Sequence, residues 1–290
     1  MDYLLRDSHH LGVNYGKYDL HRLVSSVCAF QTFGQDEQIG RIHIGVHYGG
    51  LHAAESLIIA RYSMFKQVYF HKTRMAFDIH LHHVMSHLLP NGCFPTPDRD
   101  GLEEYLKWDD WRVLGLLAKG DGGPHAKRML GRDHYRQVYR SKDRPHTLDA
   151  VLGGEKRKTD LLLDRLRKSG IETEIKTTKN SWYKAKEGSF ITVVNESNPK
   201  DLRPLSEYSP IASLNAGDQY FLYVKKDDVI KAKQLIADST AEVEKQVKSE
   251  LDAPDPGAAN SSTSTKKPAS AENETPKPRA ISALKDGSVS

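Results

Sequence analysis

The sequence predicts a mainly α fold with a smaller C-terminal α+β lobe and a disordered tail. Three observations carry that expectation. Apolar residues recur at spacings of three and four through most of the first half. After about residue 153 the period shortens and strand-like runs appear between helices. From about Leu251 to Ser290 there is no aromatic residue, and Pro, Ser, Thr, Ala and Lys dominate. A segment of that composition buries too little apolar surface to offset its ordering entropy.

The elements follow in chain order. Asp19 is placed to cap a helix through Leu20, Leu23, Val24, Val27 and Cys28. Arg41 to His47 alternates, with Ile42, Ile44 and Val46 on one side, and reads as a strand ended by Gly49-Gly50. A long helix then carries Leu51, Ala54, Leu57, Ile58, Arg61, Met64, Phe65 and Val68. Another runs from Met75 to Leu89 and stops at Pro90-Asn91-Gly92. Two more are expected over Gly101 to Ala118 and Pro124 to Tyr139. Beyond them come a helix over Thr159 to Lys168, strands at Ile171 to Thr177, Ser189 to Val194 and Gln219 to Val224, and a helix opened by Asp227. These textures divide the chain into 1–147, 153–245 and 251–290.

Composition narrows the function classes. The 290 residues carry a mild net charge of +4, which permits a polyanionic partner without arguing for one. No run of apolar residues is long enough for a membrane span, and the charged opening is unlike a signal peptide. Two cysteines, Cys28 and Cys93, lack metal-ligand spacing and read as reduced thiols of a cytoplasmic protein.

Among the 14 histidines, His80, His83 and His87 share one face of an expected helix at ligand-like spacing. No acidic or cysteine ligand completes that set in sequence, and an ordinary polar helix face explains it better. The opening residues say more. Tyr3 and Asp7 stand four apart on a helix, with Arg6 one position off. A phenol, a carboxylate and a guanidinium suit a sugar hydroxyl and a phosphate. Arg61 follows on the long helix, and then Tyr69-Phe70-His71-Lys72 sets an aromatic pair beside two cations.

Asp2-Tyr3-Leu4-Leu5-Arg6-Asp7-Ser8, then His-Leu-Gly-Val and Tyr-Asp-Leu-His-Arg-Leu, resembles the HD-superfamily phosphohydrolases. The similar branch is that of the deoxynucleoside triphosphate triphosphohydrolases, the SAM- and HD-domain enzymes and the bacterial dGTPase-like proteins. The resemblance continues through Arg61, Tyr69-Phe70-His71-Lys72, Glu104 to Asp110 and Tyr135 to Tyr139. A fainter likeness follows at Asp201 to Glu207 and Tyr220 to Val224. It implies a partial HD-domain helical core with an α+β lobe, and a reaction that releases triphosphate from a dNTP such as dGTP. By position, Tyr3 and Arg61 would meet phosphates, Asp7 the 3′-hydroxyl, and Tyr69 the sugar or base edge. Lys72 resembles a residue of regulatory nucleotide sites. Phe70 stands where some relatives have a polar residue.

The resemblance also implies a divalent-metal set of His, a His-Asp pair and a later Asp. That last Asp would precede Asp2-Tyr3 by three residues and so fall before Met1. On this expectation the chain lacks the ligands, binds no cofactor by itself, and is inactive in isolation. Its partners would be a deoxynucleoside triphosphate and either a homo-oligomer or a chain supplying the missing HD segment. Two rivals stand beside it: a non-catalytic nucleotide-binding or regulatory module, and a metal protein built on His80, His83 and His87.

Overall fold

The computed structural model describes residues 1–32, 41–98, 101–143, 154–178, 191–195, 197–212 and 218–252. Helix α1 (Asp2–Leu11) ends at Gly12, whose left-handed φ of 66° lets its N–H turn back to the His9 carbonyl. Leu4 and Ser8 are its buried residues. Helix α2 (Leu20–Ser26) begins at Asp19, whose Oδ1 accepts from the Arg22 N–H at 2.9 Å. Replacing Asp19 by Ala is expected to destabilise the chain by about 1 kcal/mol, and by Asn hardly at all. Urea denaturation checks this, and equal midpoints for Ala and wild type would refute it.

The helix stops sooner than its apolar spacing suggested. Val27 and Cys28 belong to strand β1 (Val27–Thr32), which pairs antiparallel with β2 (Arg41–His47). Across β2 lies β5 (Thr192–Asn195), parallel to it, and beyond that β6 (Asn198–Pro204), giving the order β1-β2-β5-β6. The buried face expected of β2 holds only at Val46; Ile42 and Ile44 are each 77% exposed. The register gives the reason. β5 reaches only Gly45 to His47, so Arg41 to Ile44 extends with β1 as a two-stranded ribbon past the packed part of the sheet.

Helix α3 (Leu51–Met64) lays Ala54, Ile58 and Leu51 against Val46, Val193 and Leu205. It passes into one wide π-helical turn (Phe65–Tyr69), then into α4 (Lys72–Leu88). The single helix expected over Gly101 to Ala118 is two, α5 (Leu102–Leu106) and α6 (Asp110–Ala118), because Asp109 caps the second through the Arg112 N–H. The helix expected over Pro124 to Tyr139 ends early as α7 (Gly123–Leu130); Arg136–Arg140 is strand β3. Gly131 and a left-handed Arg132 close α7, and β3 is claimed by a distant strand rather than by its own helical spacing.

That strand is β7 (Gln219–Val224), the middle of a second sheet ordered β3-β7-β4, with β4 at Thr173–Thr178. Its alternation sorts two cores. Phe221 and Tyr223 pack with Met75, Ala76 and Ile79 of α4. Leu222 and Val224 pack with Leu162 and Leu166 of α8 (Glu155–Lys168) and with Ala232, Val243 and Val247 of α10 (Val229–Asp252). A strand buried on both faces reads as a continuous apolar run, as Tyr220 to Val224 does. A four-residue helix, α9 (Leu205–Tyr208), follows β6.

The fold is mainly helical with this α+β lobe. Both sheets take strands from either side of residues 147–153, so the change of texture there is not a division between sheets. The tail expected over 251–290 lies outside the described residues except for the end of α10. Among the described residues no helix is long and apolar enough to cross a membrane.

Candidate functional site

Four of the residues singled out in the sequence meet in one place. Buried Leu4 and Ser8 hold α1 against α3: the Ser8 hydroxyl donates to Met64 Sδ at 3.3 Å and accepts the Gly16 N–H at 2.9 Å. This turns Tyr3 and Asp7, one helical turn apart, toward the end of α3. Arg61 Nη1 donates to Tyr3 Oη at 2.5 Å. Tyr69 Oη donates to Asp7 Oδ2 at 2.6 Å, and the two tyrosine rings lie 6.3 Å apart. All four side chains are partly buried. Arg6 stays outside the cluster, paired with Asp2 on the exposed face.

The electrostatics suit an anion with a hydroxyl tail. Arg61 has five N–H donors, and among the described residues Tyr3 takes one of them. Asp7 likewise keeps acceptor capacity after Tyr69 is served. Burial, reinforced by the Asp7 carboxylate, pushes the Tyr69 phenol up, so Tyr69 is a donor and not a base at neutral pH.

Lys72 does not join this cluster. It starts α4 and lines a cavity of about 630 Å³ with Thr73, His134, Arg136, Lys226 and Lys233. No carboxylate is among the lining residues. Arg136 comes from β3, inside the stretch Tyr135 to Tyr139 that the resemblance covers; Lys226 stands just before α10 and Lys233 within it, and no local motif in the sequence singled out those two.

The histidine face of α4 does not converge. His80 is fully buried, His83 half-buried and His87 exposed. His80 Nε2 accepts the Tyr135 N–H at 3.0 Å, so its proton sits on Nδ1, which meets His125 Nδ1 at 2.9 Å. His83 Nε2 donates to Glu174 Oε1 at 2.9 Å while its ring stacks on His125 at 4.2 Å. Burial pulls His80 down to about 4, with help from the neighbouring imidazoles and Arg128. These bonds tie α4 to α7, β3 and β4. They leave no shared point for an ion, and the histidine-metal reading fails on that geometry.

The metal implied by the resemblance has no donor set among the described residues: no three His, Cys, Asp or Glu side chains there are placed to hold an ion. At the cluster itself Asp7 is the single carboxylate, already bonded to Tyr69.

Comparison with known proteins is consistent with the coarser part of the resemblance. Residues 19–162 match the family model of the HD associated region. An uncharacterized protein of Methanocaldococcus jannaschii is 45% identical over 73 residues, 25% of this chain and 15% of that protein. The uncharacterized YwfO of Bacillus subtilis is 33% identical over 127 residues, 39% of this chain and 27% of that protein. The chain thus matches only a minor part of the length of these curated relatives. A hypothetical protein of Aquifex aeolicus of known structure is 25% identical with a TM-score of 0.60, covering 81% of this chain and 56% of that one. A phosphohydrolase of Bacteroides thetaiotaomicron shows 18% identity and a TM-score of 0.48, covering 78% of this chain and 60% of that one.

Proposed function

We propose that this chain is HD-type and phosphohydrolase-like, and that its cluster at Tyr3, Asp7, Arg61 and Tyr69 binds a deoxynucleoside triphosphate. What carries the reading is the meeting of these side chains from segments far apart in sequence: Arg61 on Tyr3, and Tyr69 on Asp7. In the bound state Arg61 and Tyr3 donate to phosphate oxygens, as a guanidinium and a phenol do well. Asp7 accepts from the 3′-hydroxyl, and Tyr69 borders the sugar. The cavity at Lys72, Arg136, Lys226 and Lys233 is the matching candidate for a regulatory nucleotide, since its cations have no carboxylate among them.

These residues bind and orient; none of them generates a nucleophile. Tyr69 holds its proton, and Asp7 is engaged in accepting it. Hydrolysis would need a metal-donor set, and the described residues do not bring three such donors together. The second reading is a nucleotide-binding or regulatory module without catalysis.

Calorimetric titration with dGTP tests the proposal. Arg61→Ala is expected to weaken binding roughly 10- to 100-fold, the worth of a hydrogen bond to a charged group. Asp7→Asn is expected to erase the preference for dGTP over its 2′,3′-dideoxy analogue. No binding by wild type at millimolar dGTP would overturn the reading. Release of deoxynucleoside and triphosphate from dGTP by the chain alone would exclude the module without catalysis.

A further inference from the structure

We infer that Phe65 is the positioning residue of the Tyr3–Asp7–Arg61–Tyr69 cluster, fixing the guanidinium with its face and the Tyr69 phenol through its edge contact. The inference rests on the nucleotide-binding reading for its purpose, and on geometry of its own for its substance. Phe65 sits between the two residues that the resemblance singles out. The Arg61 guanidinium carbon lies 4.6 Å from the centre of its ring. The Tyr69 ring meets it edge-on at 4.9 Å. One aromatic ring therefore touches both of the residues that α3 and its extension present to α1.

The backbone arranges this meeting. In an unbroken α-helix each fourth residue advances about 40° round the axis, so Tyr69 would stand about 80° from Arg61. The wide turn intervenes: the Phe70 N–H reaches the Phe65 carbonyl, five residues back, at 2.8 Å. A turn with more residues brings Tyr69 back toward the line of Arg61 and Phe65. Single π turns of this kind often mark functional positions in helices.

The ring is itself held. Phe70 packs edge-on to Phe65 at 5.3 Å. Phe70 in turn lies against the core formed by Met75, Ala76, Ile79, Tyr135, Phe221 and Tyr223. Packing thus runs from the core beside the second sheet through Phe70 and Phe65 to the cluster. A flexible four-carbon or branched side chain at 65 would fill the space without presenting a face to a cation. Arg61, with several rotatable bonds, would then lose the platform that selects one of its rotamers.

Nuclear magnetic resonance of the full chain, with labelled arginine guanidinium and tyrosine ring carbons, reads this directly. Wild type is expected to show Arg61 guanidinium protons shifted upfield by the Phe65 ring, and absence of that shift would overturn the proposal without any variant. Phe65→Met keeps the volume and removes the ring. It is expected to move both the Arg61 and Tyr69 signals and to weaken dGTP binding about tenfold. Phe65→Tyr restores the ring, and is expected to return the signals and the affinity to within about twofold of wild type. Thermal melts of the folded variants separate positioning from loss of fold. Signals unmoved in Phe65→Met would sink the inference. Moved signals in a chain that binds no dGTP even as wild type would sustain it and remove only the nucleotide reading.

Discussion

Lowering the pH from 7 to about 4 is expected to remove about 3 kcal/mol of folding stability through His80 alone. In the unfolded chain this imidazole titrates near 6.5; in the fold it titrates near 4. Between those values the unfolded state holds a proton that the folded state refuses, so stability rises with pH and is lost as pH falls through that window. The refusal has a visible cause. His80 Nε2 is occupied in accepting the Tyr135 N–H, and Nδ1 already carries the proton facing His125 Nδ1, so a second proton must go to Nε2 and break the bond to Tyr135. His125 is pulled down too, chiefly by burial, and adds to the effect in the same direction.

The charges around the pair do not reverse this. His83, His134 and Arg128 oppose a further positive charge, while Glu172 and Glu174 favour it on His125. Glu172 is held low by Lys225 and Tyr135, so its own contribution is lost only below the usual glutamate range. Urea denaturation at pH 7, 5.5 and 4.5 gives the slope. His80→Gln offers an acceptor for the Tyr135 N–H with nothing to titrate, and is expected to flatten the slope. A wild-type midpoint that does not change between pH 7 and 4.5 would refute the assignment.

Gly16→Ala is expected to destabilise the chain by on the order of 3 kcal/mol. A Cβ at Gly16 would stand 2.3 Å from Ser8 Oγ and 2.4 Å from the Leu4 carbonyl oxygen. The carbonyl belongs to the backbone of α1 and cannot swing aside. Either α1 lifts or the Gly16 segment retreats, and both outcomes break the Gly16 N–H bond to Ser8. Tyr3 and Asp7 ride on that helix, so dGTP binding is expected to fall with stability. Gly115→Ala is the control: it lies in α6 with nothing near its added methyl, and is expected to stabilise by about 0.4–1 kcal/mol. Similar melting points for the two variants would show that α1 does not depend on this close approach.

The sequence disclosed what is encoded locally. Helical spacing located α3, α4, α8 and α10, the Asp19 carboxylate marked the start of α2, and an apolar run exposed β7. Strand β3 escaped because its partner β7 lies far along the chain, whereas β1 and β6 pair with the neighbouring β2 and β5 and lack the apolar alternation that marks a strand. The cluster residues Tyr3, Asp7, Arg61 and Tyr69 were legible only through a resemblance, since no spacing tells that segments some sixty positions apart will touch. His125 and Phe65 were hidden for the opposite reason: each looked like an ordinary helix residue. Their roles come from a neighbour on another element, or from a turn that is not α-helical.

The central position of β7 has a consequence for synthesis. The middle strand of its sheet is the last of the three to leave the ribosome, after β3 and β4. At ~5–20 residues per second, β3 waits several seconds before residues 219–224 arrive between the two edges. During that interval the apolar face of α4 that later meets Phe221 and Tyr223 lacks the cover of β7. A ribosome halted between Thr178 and Gln219 would hold a nascent chain with two orphan strands and an open core. Such a chain exposes apolar surface that the finished sheet covers.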